Sequence, residues 1–86
     1  MNRSFKDIVM ILLTQCMINL GEIEDPIQGK LKNDLVGAQL FIELLEILDS
    51  KTKGNLSDGE EKLLVGAISN VKKIYDRKLN PGQGDG

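Results

Sequence analysis

Apolar residues along this chain recur at spacings of three and four, without the alternation of a strand, and they gather into three blocks separated by glycine, proline and cap residues. The first block follows Ser4, which forms a capping pair with Asp7, and it closes at Gly21 after Leu20; this predicts a helix over about residues 5–20. The second begins after Asn33, with Asp34 complementing the positive helix end, and reaches Lys53 ahead of Gly54, predicting 34–53. The third has Ser57 as its cap and Glu60 three positions later, and it runs over 58–78 before Asn80 and Pro81 end it. The expectation is an all-α, three-helix domain over residues 1–80, followed by a tail, "PGQGDG" at 81–86, that has nothing to bury and is expected to be disordered.

The segment between the first two helices, "GEIEDPIQGKLKN" at 21–33, is long for a connection in a helical bundle. Its own apolar residues, Ile23, Ile27 and Leu31, predict an ordered loop strapped across the helices, with turns at Asp25-Pro26 and Gln28-Gly29.

The circumference of each helix points to assembly. In the second helix Gln39, Glu43, Glu46 and Ser50 make one narrow polar stripe, and nearly everything else from Leu35 to Leu48 is apolar or small. The first helix, with Phe5, Ile8, Val9, Met10, Leu12, Leu13, Cys16, Met17 and Leu20, also overflows a single face. Only the third is ordinary, with Leu64, Ala67, Ile68, Val71, Ile74 and Tyr75 on one side and Lys62, Asn70, Lys72, Lys73 and Arg77 toward water. One amphipathic helix cannot cover two helices that are apolar nearly all round, so a second copy of the chain is the expected remedy. The reading is a homodimer built from helices one and two, with Ile8, Leu12, Leu40, Leu44 and Ile47 as the candidate self-association interface.

Composition narrows the function classes. At 86 residues a single core is only marginally adequate, which again favours a partner chain. The only aromatics are Phe5, Phe41 and Tyr75, so the core must be aliphatic. A net charge of -2 argues against broad binding to nucleic acid or an anionic membrane surface. Cys16 has no disulfide partner in the chain, which fits a reducing cytoplasm. With no histidine and one cysteine, neither a zinc site nor a histidine-based catalytic set can be assembled, so no metal, cofactor or enzymatic activity is expected. Arg3 and Lys6 ahead of the apolar run 8–13, and "LLTQC" ending at Cys16, imitate an export signal and a lipoprotein box. The run is too short, Asp7 interrupts the basic region and Gln15 occupies a small-residue position, so a buried amphipathic helix is expected instead. No membrane partner is expected, because no stretch approaches the ~20 apolar residues of a spanning helix.

Four groups of residues carry candidate chemistry. The stretch "DSKTKGNLSDGE" at 49–60 has the outline of a calcium loop, with Asp49 first, Gly54 sixth and Glu60 twelfth, but Lys51 and Lys53 occupy ligand positions and would repel a dication. It reads better as a connection: Gly54 in the left-handed conformation, the lysines at the negative helix end, Leu56 returning to the core and Ser57 with Glu60 capping helix three. Glu43 and Glu46 suggest a carboxylate site but lack the histidine of diiron bundles and read as solvated charges. Lys72, Lys73, Arg77 and Lys78 around Tyr75 are the one candidate RNA contact, although cations also belong at a helix C-terminus. Thr14, Gln15 and Asn19 either hydrogen-bond across a helical interface or face water, and Cys16 reads as packing rather than a reactive thiol.

With these residues in view, the chain resembles the DUF1844 family of small bacterial proteins. The resemblance rests on the ordered series "TQ" at Thr14, "LGEI" at Leu20, "DP" at Asp25, "LLEIL" at Leu44, "KTKGNL" at Lys51 and "EEKLL" at Glu60, within residues 5–76. Of these, "KTKGNL" after a leucine-rich helix is the most specific. The resemblance implies a bacterial intracellular protein encoded near translation genes in some genomes, and it carries no activity, catalytic residue or cofactor. Three functions are therefore weighed: a non-enzymatic oligomeric interaction or adaptor module first, an RNA- or ribosome-associated accessory factor second, and an enzyme last. The two lysines in the 49–60 stretch generate one prediction: millimolar calcium leaves the melting temperature unchanged. A rise of several degrees that magnesium does not reproduce would overturn it.

Overall fold

The computed structural model describes residues 3–80, which form three helices, α1 (Phe5–Asn19), α2 (Leu35–Lys51) and α3 (Asp58–Leu79). Among the described residues there is no strand, only an isolated antiparallel bridge between Asp25 and Lys30. The expected tail at 81–86 lies outside the described residues.

Local chemistry sets each boundary. The Asp7 carboxylate accepts from the Ser4 backbone N–H at 2.8 Å at the start of α1. At its end Gly21 N–H donates to Ile18 O and Glu22 N–H to Met17 O, the paired bonds that close a helix through a left-handed residue. Gly21 supplies that residue with φ 82°, and a Cβ there would lie 2.5 Å from the Lys32 carbonyl oxygen, so glycine is required by conformation and by space. α2 stops at Lys51, short of the expected Lys53: Thr52 is its cap, with N–H and hydroxyl both donating to the Leu48 carbonyl at 3.1 and 2.7 Å, and the chain then turns through Gly54 at φ 81°. Ser57 and Glu60 reciprocally cap α3: Ser57 N–H donates to the Glu60 carboxylate and Glu60 N–H to the Ser57 hydroxyl, at 2.9 and 3.2 Å.

The helices run up, down and up. Asp34 N–H donates to Asn19 O and the Cys16 thiol reaches Ala38 O, which sets the end of α1 beside the start of α2. Lys72 meets Glu46 and Tyr75 approaches Gln39, so α3 is antiparallel to α2, and Lys78 pairs with Glu22 just past the end of α1. Between them lie Val9, Cys16 and Leu20 from α1, Ala38, Ile42 and Leu45 from α2, and Leu64, Ala67, Val71 and Ile74 from α3. The closest approach of α1 and α2 uses small residues. A Cβ on Gly37 would sit 2.8 Å from Asn19 Nδ2 and 2.5 Å from Asp34 Oδ2. Leu56 returns from the second connection to pack against this core.

The first connection corrects the sequence expectation. Ile23, Ile27 and Leu31 do not pack across the helices; all three are exposed, Ile27 at 92%. Asp25 folds the segment onto itself instead. Its side chain accepts from Ile27 N–H at 2.8 Å, its carbonyl accepts from Gly29 N–H at 2.7 Å and its own N–H donates to Lys30 O at 2.9 Å, while Lys32 lies 3.8 Å from its carboxylate. With these backbone groups satisfied inside the turn, the turn stands away from the helices.

The capping geometry of α3 generates a stability prediction. Ser57→Ala removes the acceptor for Glu60 N–H and should cost about 1 kcal/mol, a fall in melting temperature of roughly 4–8 °C for a domain of this size. An unchanged melting curve would mean that the α3 start draws its stability from elsewhere.

Candidate functional site

α2 presents three faces. Ala38, Ile42 and Leu45 point into the core, while Gln39 and Glu46 meet Tyr75 and Lys72 of α3. Val36, Leu40, Leu44 and Ile47, spaced four, four and three, fall together on the side turned away from α3. Val36 is 82% exposed, and Leu40 and Ile47 are each just over half exposed. Leu44 is half-buried at the margin. Because α1 and α2 touch along Cys16, Ala38, Asn19 and Gly37, the flank of α1 next to this stripe carries Ile8 and Ile11, and Ile11 is 68% exposed. The two flanks form one apolar face opposite α3.

The structure therefore places Ile8, Leu40, Leu44 and Ile47 of the sequence-predicted set on the open side. Leu12 is half-buried and packs against the core, because its position on α1 turns toward Val9 and Cys16 rather than toward Ile11. Val36 and Ile11 were missing from the set. Extending the Leu40–Leu44 spacing back one turn would have found Val36, and three residues on from Ile8 lies Ile11.

A family model described as a domain of unknown function, DUF1844, matches residues 2–77. The chain belongs to the DUF1844 family. No curated protein matches it, and no solved structure does. The segments through which this DUF1844 chain resembles its family are largely the corners of the fold. "LGEI" is the reversal at Gly21, "DP" opens the Asp25 turn, "KTKGNL" carries the chain out of α2, and "EEKLL" holds the Glu60 cap and the buried Leu64.

The basic end of α3 in this DUF1844 domain is divided rather than gathered. The Lys72 ammonium lies 2.8 Å from the Glu46 carboxylate, whose hydrogen bond and charge hold it above the usual lysine range. Lys78 lies 3.2 Å from Glu22. Lys73 and Arg77 project from another side of the helix, so the four cations do not present one patch to a phosphate backbone. Glu46 is a water-exposed charge, as expected, and also one half of the α2–α3 ion pair, while Gln39 donates to Glu43 at 3.1 Å along the same edge. These groups, with Ile42, Tyr75 and Asp76, line a shallow α2–α3 groove.

The 49–60 stretch is a connection in three dimensions as well. The first and third positions of the calcium-loop alignment, Asp49 and Lys51, lie in the last turn of α2, and the Asp49 carboxylate faces Lys53 Nζ at 3.4 Å. Among the described residues no three His, Cys, Asp or Glu side chains converge, and no helix is long and apolar enough to cross a membrane. Of the polar residues left open by the sequence, Asn19 is buried at 4% exposure beside Gly37 and accepts from Gln15 at 3.4 Å, whereas Thr14 is exposed.

Cys16 is fully buried between α1 and α2, and burial raises its thiol from an ordinary 9.0 to about 11. A raised thiol pKa means the folded state holds its proton where the unfolded chain releases it, so this contribution to stability is intact below pH 9 and is lost as pH rises toward 11. The expected outcome at pH 8 is negligible reaction with an aromatic disulfide reagent in buffer and complete, rapid reaction in denaturant. Rapid labelling of the folded protein would show that the α1–α2 seam opens readily.

Proposed function

We propose that this DUF1844 chain is a non-enzymatic interaction module that works as a homodimer, joined through the α1–α2 face, with α3 on the outside of each subunit. One observation carries the proposal: Ile8, Ile11, Val36, Leu40 and Ile47 are exposed together on the face opposite α3, and among the described residues no further helix lies over them. A second copy fits that face better than an arbitrary partner. At roughly 100 Å² apiece the five side chains offer about 500 Å² of apolar area, close to the ~60% apolar share of the ~800 Å² that each partner contributes to a standard interface. The α2 stripe also suits a two-fold operation. Antiparallel pairing sets Val36 against the partner's Ile47 and brings Leu40 and Leu44 to the axis, so the same surface serves both subunits.

The dimer leaves the polar α2–α3 edges and the ends of α3 free, and these are the surfaces through which an adaptor would meet other proteins. The unpaired and buried Cys16 supports a reducing compartment, and we place the protein in the cytoplasm of a bacterium. An enzymatic role finds no support in the α2–α3 groove, whose lysine and central glutamate are already paired to each other and open to water.

Light scattering at micromolar concentration should give twice the chain mass; a monomer mass would sink the proposal. Val36→Asp provides the sharper test, because the side chain is 82% exposed and a carboxylate in the first turn of α2 favours the helix dipole. It should yield a folded monomer. Leu44→Asp should lower both mass and stability by forcing a carboxylate into an apolar seam.

A further inference from the structure

The turn at residues 25–30 has no purpose inside its own chain. Asp25 closes it with the three hydrogen bonds described above, Pro26 fixes one backbone angle and Gly29 takes φ 69°, so Ile27 is held rigidly at its tip and points away from the molecule. Turn tips are ordinarily polar, yet this one presents a β-branched apolar side chain, with Leu31 and Ile23 exposed beside it. A preformed turn of this kind loses little conformational freedom when it docks.

The surface it fits lies on the outer side of α1. Arg3, Asp7, Met10, Ile11, Thr14 and Gln15 line an open groove with an apolar floor at Met10 and Ile11. The groove runs along α1 from Arg3 to Gln15, whereas the turn follows the far end of α1, and Ile27, 92% exposed, does not occupy the groove of its own chain.

We infer that the 25–30 turn of each subunit docks into the α1 groove of its partner, with Ile27 seated on the partner's Met10 and Ile11. The inference rests on the dimer proposed above and extends it. Antiparallel pairing of the α2 stripes carries the start of one α2 past the end of the other, and the end of α2 is where the start of α1 lies, since Cys16 adjoins Ala38. Exposed apolar side chains recur along that path, at Ile27, Leu31, Val36 and Leu40. Each surface carries one charge of either sign, Glu24 and Lys30 beside the turn and Arg3 and Asp7 at the rim of the groove, so opposite charges meet in one of the two orientations of the arm. The dimer is then held by a helical seam and by two arms that each embrace the other subunit.

Sedimentation of Ile27→Asp tests this without harm to the monomer, since the side chain makes no packing contribution within its chain. The melting temperature of the isolated monomer, obtained in the Val36→Asp background, should be unmoved by adding Ile27→Asp. The dissociation constant of the dimer should rise at least about tenfold, as one buried aliphatic contact disappears at each of two equivalent sites. A mixture of Ile27→Cys and Ile11→Cys chains should also form an interchain disulfide faster than Ile27→Cys mixed with Lys62→Cys. If the unmodified chain dimerises but Ile27→Asp leaves the constant unchanged and the first cysteine mixture shows no preference, the arm is wrong and the seam stands. A monomeric unmodified chain overturns both.

Discussion

The close approach of α1 to α2 governs the rest of the molecule. Cys16 and Ala38 are small enough to bring the two axes together, Gly37 has no side chain to hold them apart, and Asn19 fills the corner with its carbonyl on Asp34 N–H. Once these helices lie against each other, α3 can occupy only one of the two grooves they form. It takes the one where Glu46 and Lys72 meet and where Leu64, Ala67, Val71 and Ile74 complete the core. The other side of the pair is left bare, which is why most of the exposed apolar side chains of α1 and α2, Met10 apart, are gathered on one face.

Much of the fold was legible because it is written in short-range chemistry. Ser57 with Glu60, Ser4 with Asp7, Gly21 after Leu20 and Gly54 after α2 each act within a few residues, and the structure uses all of them. Boundaries shifted by one or two residues, most at the end of α2, where Thr52 caps the helix on the Leu48 carbonyl. The outer stripe of α2 was legible too, since a regular helix maps Leu40, Leu44 and Ile47 to one side whatever surrounds it.

What depended on register between helices was not. The pairing of Lys72 with Glu46 and of Lys78 with Glu22 joins residues far apart in sequence, and nothing local marks it. The choice between burial and water for Asn19 turned on Gly37, eighteen positions later. The strap expectation fails for a physical reason: apolar residues in a loop suggest packing inside the chain, while Asp25 satisfies the loop backbone locally and leaves those side chains facing outward. That Leu12 packs against the core was not legible either, since a helix that is apolar nearly all round does not announce which of its residues the core will claim.

The three helix starts differ in a way that bears on the order in which the chain acquires its structure. α1 and α3 open with a side chain from their own first turn folded back on the cap residue, so their start signals travel with the segment. α2 opens on Asp34, whose carboxylate receives Gly37 N–H but whose own N–H is anchored on the last residue of α1. Its start is therefore conditional on the end of a helix made before it. Chains emerge from synthesis N-terminus first, so the residue that receives the Asp34 N–H is made before the helix it helps to start.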